Sequence, residues 1–174
     1  MDGGLAEYCV FPAEKLFPFT ELSWTEASLF EAASCAVHGL DRIDPKVGST
    51  MLMIGAGPTG LCLAQLLKLN GCSHLVLAAN AGPKMELAKK LHCADEYIDL
   101  DREEPAAQWT ALKESYPTGF DVVVEASGSP QVLEQAIEYC ARGGKLLYYG
   151  VYPKDALIKL SPSRVFSNEI NILG

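Results

Sequence analysis

A glycine-rich segment in the first third of the chain has the residue types and spacing of a phosphate-binding turn. Gly55-Ala56-Gly57-Pro58-Thr59-Gly60 is a G-x-G-x-x-G element. Gly55 would let the chain turn tightly, Gly57 would leave room for a pyrophosphate, and Gly60 would let a helix pack closely. The N-terminus of such a helix offers free N–H groups and a positive dipole end to an anion. We therefore predict that Gly55, Gly57, Pro58, Thr59 and Gly60 bind a dinucleotide.

That interpretation requires a strand before the turn and a helix after it, and the sequence predicts both. Residues 50–54 are apolar, and residues 58–69 begin with a proline, which is favourable at the first helical position. Further strands are predicted at 75–78, 96–98, 122–125, 145–149 and 170–173, and helices at 23–38, 83–91, 106–115, 130–140 and 162–166. Apolar strands that alternate with helices predict an α/β fold, a doubly wound parallel sheet of about six strands with helices on both faces (the Rossmann fold).

The first part of the chain does not follow this alternation. Residues 6–11 could form a strand, and Pro12 and Pro18 then interrupt the chain. Ser23 and Glu26 form a capping box that begins the first predicted helix, and Gly39 is expected to end it. We expect residues 1–22 to belong to the edge of another domain and residues 23–174 to form the dinucleotide-binding domain.

Composition and charge exclude several classes of function. The net charge of −8 argues against a nucleic-acid surface, and 49% hydrophobic residues are enough for a folded core. The sequence has no apolar run of transmembrane length and no basic, apolar leader at its start. The six cysteines are scattered without a C-x-x-C pair, so a zinc cluster or disulfide framework is not expected. Most of them fall in apolar segments, which predicts small core residues in a cytoplasmic protein.

The residues that follow the second predicted strand bear on the choice of cofactor. An acid about 20 residues past the glycines binds the adenosine ribose in NAD-dependent proteins of this fold. That position falls near Ala79, and no Asp or Glu occurs between Pro45 and Met85. Asn80 and Lys84 would instead offer an amide and an ammonium to a 2′-phosphate. We expect NADP(H) to be preferred over NAD(H); alternatively, Asn80 only forms a turn and Lys84 is only a solvated helix residue.

Two further segments are expected at the same edge of the sheet, where ligands bind in such folds. Ala126 and Ser127 follow the fourth strand, where small residues would let a ribose and a nicotinamide approach the backbone. Gly150, Val151 and Tyr152 follow the fifth strand, where backbone groups could hold a carboxamide. For Ser127 an ordinary strand-to-helix turn, with Ser129 as the N-cap of the next helix, is equally compatible with the sequence.

The ordered set of motifs resembles one enzyme family. The chain carries Gly4-Leu5-Ala6-Glu7-Tyr8, the glycine-rich turn, Glu125-Ala126-Ser127-Gly128 and Gly143-Gly144-Lys145. In this combination it resembles the zinc-dependent medium-chain alcohol dehydrogenases, and within them the polyol dehydrogenases. The resemblance implies the cofactor domain of an oxidoreductase that transfers hydride between a nicotinamide and a secondary alcohol or ketose. Members of the family have the acid at the position of Ala79 when they use NAD.

The resemblance also implies what this stretch of sequence lacks. Family members are longer and carry a zinc-binding cysteine and a Gly-His-Glu motif, neither of which is present. Glu31 occupies the place of an acid beside the catalytic zinc, although Ala32 replaces the usual proline, so Glu31 is a metal-site candidate in a full-length enzyme only. The segment alone is expected to be inactive and without metal, and a homodimer through the last strand is implied. The alternative is a non-catalytic NADPH-binding or oligomerisation module, since fold alone does not fix function.

Overall fold

The computed structural model of the protein describes residues 4–174. The chain divides into two compact units, a smaller one that ends at Glu31 and a larger one formed by Ala32–Gly174. Within the described residues, no helix combines the length and the apolar character needed to cross a membrane.

The smaller unit contains little regular structure. It holds a 3-10 turn at Ala13–Lys15 and a short helix, α1 (Trp24–Ala27). The predicted capping box is confirmed, because Ser23 N donates to the Glu26 carboxylate at 2.8 Å and Glu26 N donates to Ser23 Oγ at 3.3 Å. The predicted strand at 6–11 is wrong: these described residues form no strand, and an extended segment without a neighbouring strand has no ladder to join. The assignment of residues 1–22 to another domain stays a prediction.

The larger unit is built on one six-stranded sheet. Its strands are β1 (Thr50–Ile54), β2 (His74–Asn80), β3 (Glu96–Leu100), β4 (Phe120–Glu125), β5 (Cys140–Tyr148) and β6 (Asn171–Leu173). They lie in the order β3-β2-β1-β4-β5-β6, and every neighbouring pair is parallel. The predicted doubly wound parallel sheet is confirmed. Its order places the carboxyl ends of β1, β2 and β4 side by side.

Helices cover both faces of the sheet, as predicted. They are α2 (Phe30–Ile43), α3 (Pro58–Leu69), α4 (Pro83–Lys90), α5 (Ala106–Ser115), α6 (Pro130–Ala136) and α7 (Pro162–Ser167). The larger unit has two buried cores. In one, Leu63 and Met85 pack with strand residues such as Met53, and in the other Leu112 packs with strand residues such as Leu52. Adjacent residues of β1 thus belong to different cores, because successive side chains point to opposite faces of the sheet.

The predicted end of the first long helix at Gly39 is wrong. Instead of one helix over 23–38, the chain forms α1, breaks, and forms α2, which passes through Gly39 to Ile43. A β-carbon added to Gly39 would stand 2.9 Å from the ring of Tyr149 and 3.3 Å from Leu63. This glycine therefore allows close packing inside a helix and does not end it.

The boundary between the last long helix and β5 also differs from the prediction. Helix α6 ends at Ala136, a 3-10 turn covers Ile137–Tyr139, and β5 begins at Cys140. Cys140 pairs with Phe120 whereas Lys145 pairs with Val122, so β5 contains extra residues that bulge out of the ladder. The two glycines of this bulge resemble a turn in sequence, which is why the strand was expected to start at 145.

Four of the six cysteines belong to the two cores or pack against them, namely Cys62, Cys72, Cys93 and Cys140. Cys93 and Cys140 are buried, and burial raises the pKa of both thiols, that of Cys140 to about 12. Cys9 and Cys35 are exposed. The expectation that most of the cysteines are core residues therefore holds for four of the six, and the exposed pair is the exception.

Candidate dinucleotide-binding cleft

A cleft of about 660 Å³ opens where β1, β2 and β4 end. Ligands of doubly wound sheets bind at this edge, where the strand order reverses. Seven of the predicted cofactor-binding residues line the cleft: Gly55, Gly57, Ala79, Asn80, Lys84, Ala126 and Ser127. Sheet topology thus brings together residues that are up to 72 positions apart in the chain.

The three motif glycines occupy three different environments. Gly55 has φ of +113°, and a β-carbon there would stand 2.8 Å from the carbonyl carbon of Ala126. A β-carbon on Gly57 would meet no heavy atom within 4 Å, so this position faces open space in the cleft. On Gly60 it would lie 3.3 Å from the Gly55 carbonyl oxygen. The tight turn, the open approach and the close helix packing expected of this motif are therefore all present.

Helix α3 begins directly at this turn. Gly57 is its N-cap, Pro58 is its first residue, and no acidic side chain lies in its first turn. Pro58 and Thr59 do not line the cleft itself but form the first turn of the helix behind Gly57. The helix is 12 residues long, so its N-terminal N–H groups and dipole give the turn a positive potential.

The end of β2 forms a second wall, and none of the β2 residues that line it is acidic. Ala79 lines the cleft although it is only 9% exposed, and Asn80, which follows it, is exposed. Gly82 then caps helix α4, whose first turn contains Lys84. The Asn80 amide and the Lys84 ammonium therefore lie beside Ala79, the position that an acid would occupy in an NAD-binding protein.

Sequence reasoning missed a second cation in this wall. Arg102 follows β3 and lines the cleft, and its Nη2 lies 4.0 Å from where a β-carbon on Gly82 would stand. Within residues 4–174 neither Arg102 nor Lys84 forms an ion pair. The signal that could have found Arg102 is the strand order, because β3 lies next to β2 and their carboxyl ends meet.

One acid, Asp101 beside Arg102, does line the cleft, and its carboxylate is hydrogen-bonded by the backbone. Asp101 Oδ1 accepts hydrogen bonds from the N–H groups of Glu103 and Glu104, both at 2.8 Å. These bonds lower the pKa of Asp101. Asp101 therefore acts as a local cap for the loop after β3, and it does not replace the missing acid at the end of β2.

The segment after β5 lies beside the cleft, outside its lining. Gly150, Val151 and Tyr152 contact the loop after β4: a β-carbon on Gly150 would stand 2.5 Å from Gly128 N, and one on Gly128 would stand 2.7 Å from Val151 O. Val151 is 93% exposed. The segment thus forms an extension of the wall that begins at Ser127.

The two serines of the turn after β4 make different contacts, and the N-cap expected at Ser129 is confirmed. Ser129 caps helix α6, since its side chain accepts a hydrogen bond from Val132 N at 3.4 Å. Ser127 is not that cap; its hydroxyl donates to the carboxylate of Glu125 and accepts from Ser129 N at 3.2 Å. Ser127 is exposed at the cleft while its hydroxyl is committed to the protein.

No metal site accompanies the cleft in the part of the chain that the structure describes. Residues 4–174 contain no group of three His, Cys, Asp or Glu side chains placed to hold an ion. Glu31, the metal candidate, belongs to the smaller unit. The described residues therefore do not fit a zinc ion by themselves.

Comparison with known proteins defines the family of the chain. Residues 58–174, which include the helix after the glycine-rich turn and most of the sheet, match the family model described as zinc-binding dehydrogenase. The chain belongs to the zinc-binding dehydrogenase family. D-arabinitol dehydrogenase 1 of Uromyces fabae is 58% identical to it over the whole chain and half of that protein. The chain thus spans about half the length of the curated relatives it matches.

Two solved structures of this family's fold support the architecture. A protein from Sinorhizobium meliloti, described as a zinc-binding dehydrogenase bound to NADP, is 26% identical with a TM-score of 0.75, over 84% of this chain and 43% of that one. A protein from Escherichia coli, described as a short chain alcohol dehydrogenase complexed with NADH, has a TM-score of 0.82 at 23% identity, over 99% of this chain and 50% of that one. Both nicotinamide cofactors thus occur among the neighbours.

Proposed function

We propose that this zinc-binding dehydrogenase chain is the cofactor-binding part of an NADP(H)-preferring alcohol or polyol dehydrogenase. The observation that carries the proposal is the charge of the wall at β2, where Ala79 replaces the acid. Lys84 and Arg102 line the same cleft without an ion pair within the described residues. Two unpaired cations next to a helix N-terminus favour a 2′-phosphate, whereas an acid would repel it.

The reaction proposed for the whole enzyme is hydride transfer between a nicotinamide and a secondary alcohol or ketose. The 58% identity to a D-arabinitol dehydrogenase supports a polyol as the substrate class. The cofactor supplies the hydride chemistry when bound, and the chain binds and orients it. Gly55, Gly57, Pro58, Thr59 and Gly60 would hold the pyrophosphate, Ala79, Asn80 and Lys84 the adenosine end, and Ala126, Ser127 and Gly150 to Tyr152 the nicotinamide end.

Zinc is part of this proposal only because the chain belongs to the zinc-binding dehydrogenase family. Because the described residues do not form a metal site, we derive no catalytic step through zinc. Glu31 stays a candidate for a position near zinc in a longer protein. The chain alone is expected to bind cofactor and not to catalyse the reaction.

The proposal predicts that the two cations act on the 2′-phosphate alone. Lys84→Ala and Arg102→Ala should each weaken binding of adenosine 2′,5′-bisphosphate by about tenfold, because each removes a charge-assisted contact of about 1.5 kcal/mol. Binding of ADP, which lacks the 2′-phosphate, should change by less than about twofold. Isothermal titration calorimetry measures both.

Lys90→Ala is the matched control, because Lys90 is an exposed lysine at the other end of α4 and does not line the cleft. It should leave the affinity for both ligands unchanged. Equal losses for ADP and the bisphosphate in Lys84→Ala and Arg102→Ala would contradict a role in recognising the 2′-phosphate.

We also propose a homodimer formed through β6. Within the described residues this strand pairs with β5 alone, so its outer edge is open, and the chain before it exposes Leu157 (90%) and Phe166 (85%). An open edge with apolar neighbours is a template for pairing with a second copy. We expect light scattering to give twice the chain mass at about 100 μM, where only weak dimers would dissociate; a monomer at that concentration would contradict the proposal.

A further inference from the structure

One acidic residue inside the sheet belongs neither to the glycine-rich turn nor to the wall that carries Lys84 and Arg102. Glu125 ends β4 and is fully buried. Its carboxylate accepts hydrogen bonds from Ser127 N at 2.7 Å, Gly128 N at 3.2 Å, the Ser127 hydroxyl and the Tyr152 hydroxyl. Each oxygen accepts two of the four, so the accepting capacity of the carboxylate is filled.

The backbone of Glu125 makes a second set of contacts. Its carbonyl oxygen accepts hydrogen bonds from Tyr149 N at 2.9 Å and Gly150 N at 2.8 Å. Side chain and backbone of one residue thus join the loop after β4 (residues 126–128) to the loop after β5 (residues 149–152). A buried carboxylate is tolerated only when it is satisfied in this way, so the arrangement is costly to rearrange.

The glycines at this junction allow the two loops to approach closely. A β-carbon on Gly150 would lie 2.9 Å from a Glu125 carboxylate oxygen and 2.5 Å from Gly128 N. No larger residue fits at Gly150 without moving the backbone. The close contact between the two loops therefore depends on glycine in both of them, at Gly128 and Gly150.

Tyr152 provides the only side-chain donor from the loop after β5 in this set. It is half-buried, and burial, followed by its hydrogen bond to Glu125, raises the pKa of its hydroxyl. The hydroxyl therefore stays protonated and remains a donor throughout the neutral range. The chain holds the two loops together through a permanent donor and a filled acceptor.

We propose that Glu125 is a positioning residue that, through Tyr152, fixes the loops 126–128 and 149–152 as a preformed wall for the nicotinamide half of the cofactor. The proposal rests on the proposed function, because that function places the nicotinamide at these loops. Glu125 does not contact the cofactor, since its four accepting sites are occupied by protein donors. The adenosine half lies at the ends of β2 and β3, so it should not sense the junction.

Tyr152→Phe tests the proposal because it keeps the ring and removes only the link between the loops. For the full chain we expect the Kd of NADPH to rise by about tenfold, while the Kd of adenosine 2′,5′-bisphosphate changes by less than about twofold. Tyr148→Phe is the matched control: its ring centroid lies 6.5 Å from that of Tyr152, and its hydroxyl is not a partner of Glu125. This control should leave both affinities unchanged.

The possible outcomes separate the two proposals. Equal losses for the two ligands, or no loss for either, would overturn the positioning role and leave the proposed function intact. Wild-type protein that binds no dinucleotide would overturn both the positioning role and the proposed function. Tighter binding of NADH than of NADPH would overturn only the cofactor preference, and the variants would then be tested with NADH and ADP.

If Tyr152→Phe does not fold, Ser127→Ala decides, because it removes another donor from the same carboxylate at an exposed residue. Its expected selective loss for NADPH is about threefold, and an unselective result would overturn the proposal.

Discussion

Ala79→Asp is expected to reverse the preference of the cleft for the two nicotinamide cofactors. The new carboxylate would stand at the end of β2, in the wall that also holds Lys84 and Arg102. Like charges about 4 Å apart repel by about 4 kcal/mol at an effective dielectric constant of 20, and solvent in the open cleft reduces this to about 2 kcal/mol. The Kd of NADPH should therefore rise by about 30-fold. NADH should bind at least as well as before, because its ribose hydroxyls can donate to the acid.

Ala79→Asn is the control for size and polarity without charge. Ala79 is only 9% exposed, so either substitution adds atoms to a nearly buried position and should lower the melting temperature to a similar extent. The asparagine variant should weaken NADPH by no more than about threefold. Fluorescence titration of the three proteins with both cofactors measures the effect, and a preference that is the same in Ala79→Asp and Ala79→Asn would show that charge at this position does not select the cofactor.

Gly57→Ala should abolish most cofactor binding without affecting the fold. Nothing lies within 4 Å of the added carbon, and the backbone at Gly57 (φ −70°, ψ 166°) suits alanine. Its free energy of unfolding should fall by no more than about 1 kcal/mol, because alanine is a poorer N-cap than glycine. The methyl group would occupy the approach to the first turn of α3, so the pyrophosphate would lose contacts of about 1.5–3 kcal/mol each and the Kd should rise by about a hundredfold.

Gly55→Ala is the matched comparison, since it affects the same turn by another route. A carbon there would lie 2.8 Å from the Ala126 backbone, at φ +113°. We expect it to lower the free energy of unfolding by about 3 kcal/mol, because neither the strain nor the clash can relax without moving β4. Urea unfolding combined with NADPH titration distinguishes the variants. Retained cofactor binding in Gly57→Ala would contradict the role of this turn.

The alternating strands and helices could be predicted from the sequence because local patterns determine them. Most strands contain a short apolar run, although β3 carries Glu96 and Asp99, and proline marks the first position of α3, α4 and α6. Parallel strands joined by helices have few allowed arrangements. Two of the errors occurred where a glycine allows a close approach instead of ending an element, at Gly39 and in the bulge of β5.

The candidate site could be predicted where a local motif or the end of a predicted strand marks its residues. The glycine-rich turn and the missing acid near Ala79 are local features, so spacing alone indicates them. Arg102 and the bond from Tyr152 to Glu125 depend on which strands are neighbours and on where a side chain ends. Such contacts between distant residues leave no local pattern, and they came from the structure.

The central claim is that the cleft after β1, β2 and β4 binds a nicotinamide dinucleotide and prefers the one with a 2′-phosphate. Parallel titration of the chain with NADPH and NADH, followed by nicotinamide fluorescence at low salt, tests it most directly. The charges of Lys84 and Arg102 predict that NADPH binds at least about tenfold more tightly than NADH, with the difference shrinking as salt rises. Equal or tighter binding of NADH would contradict the account.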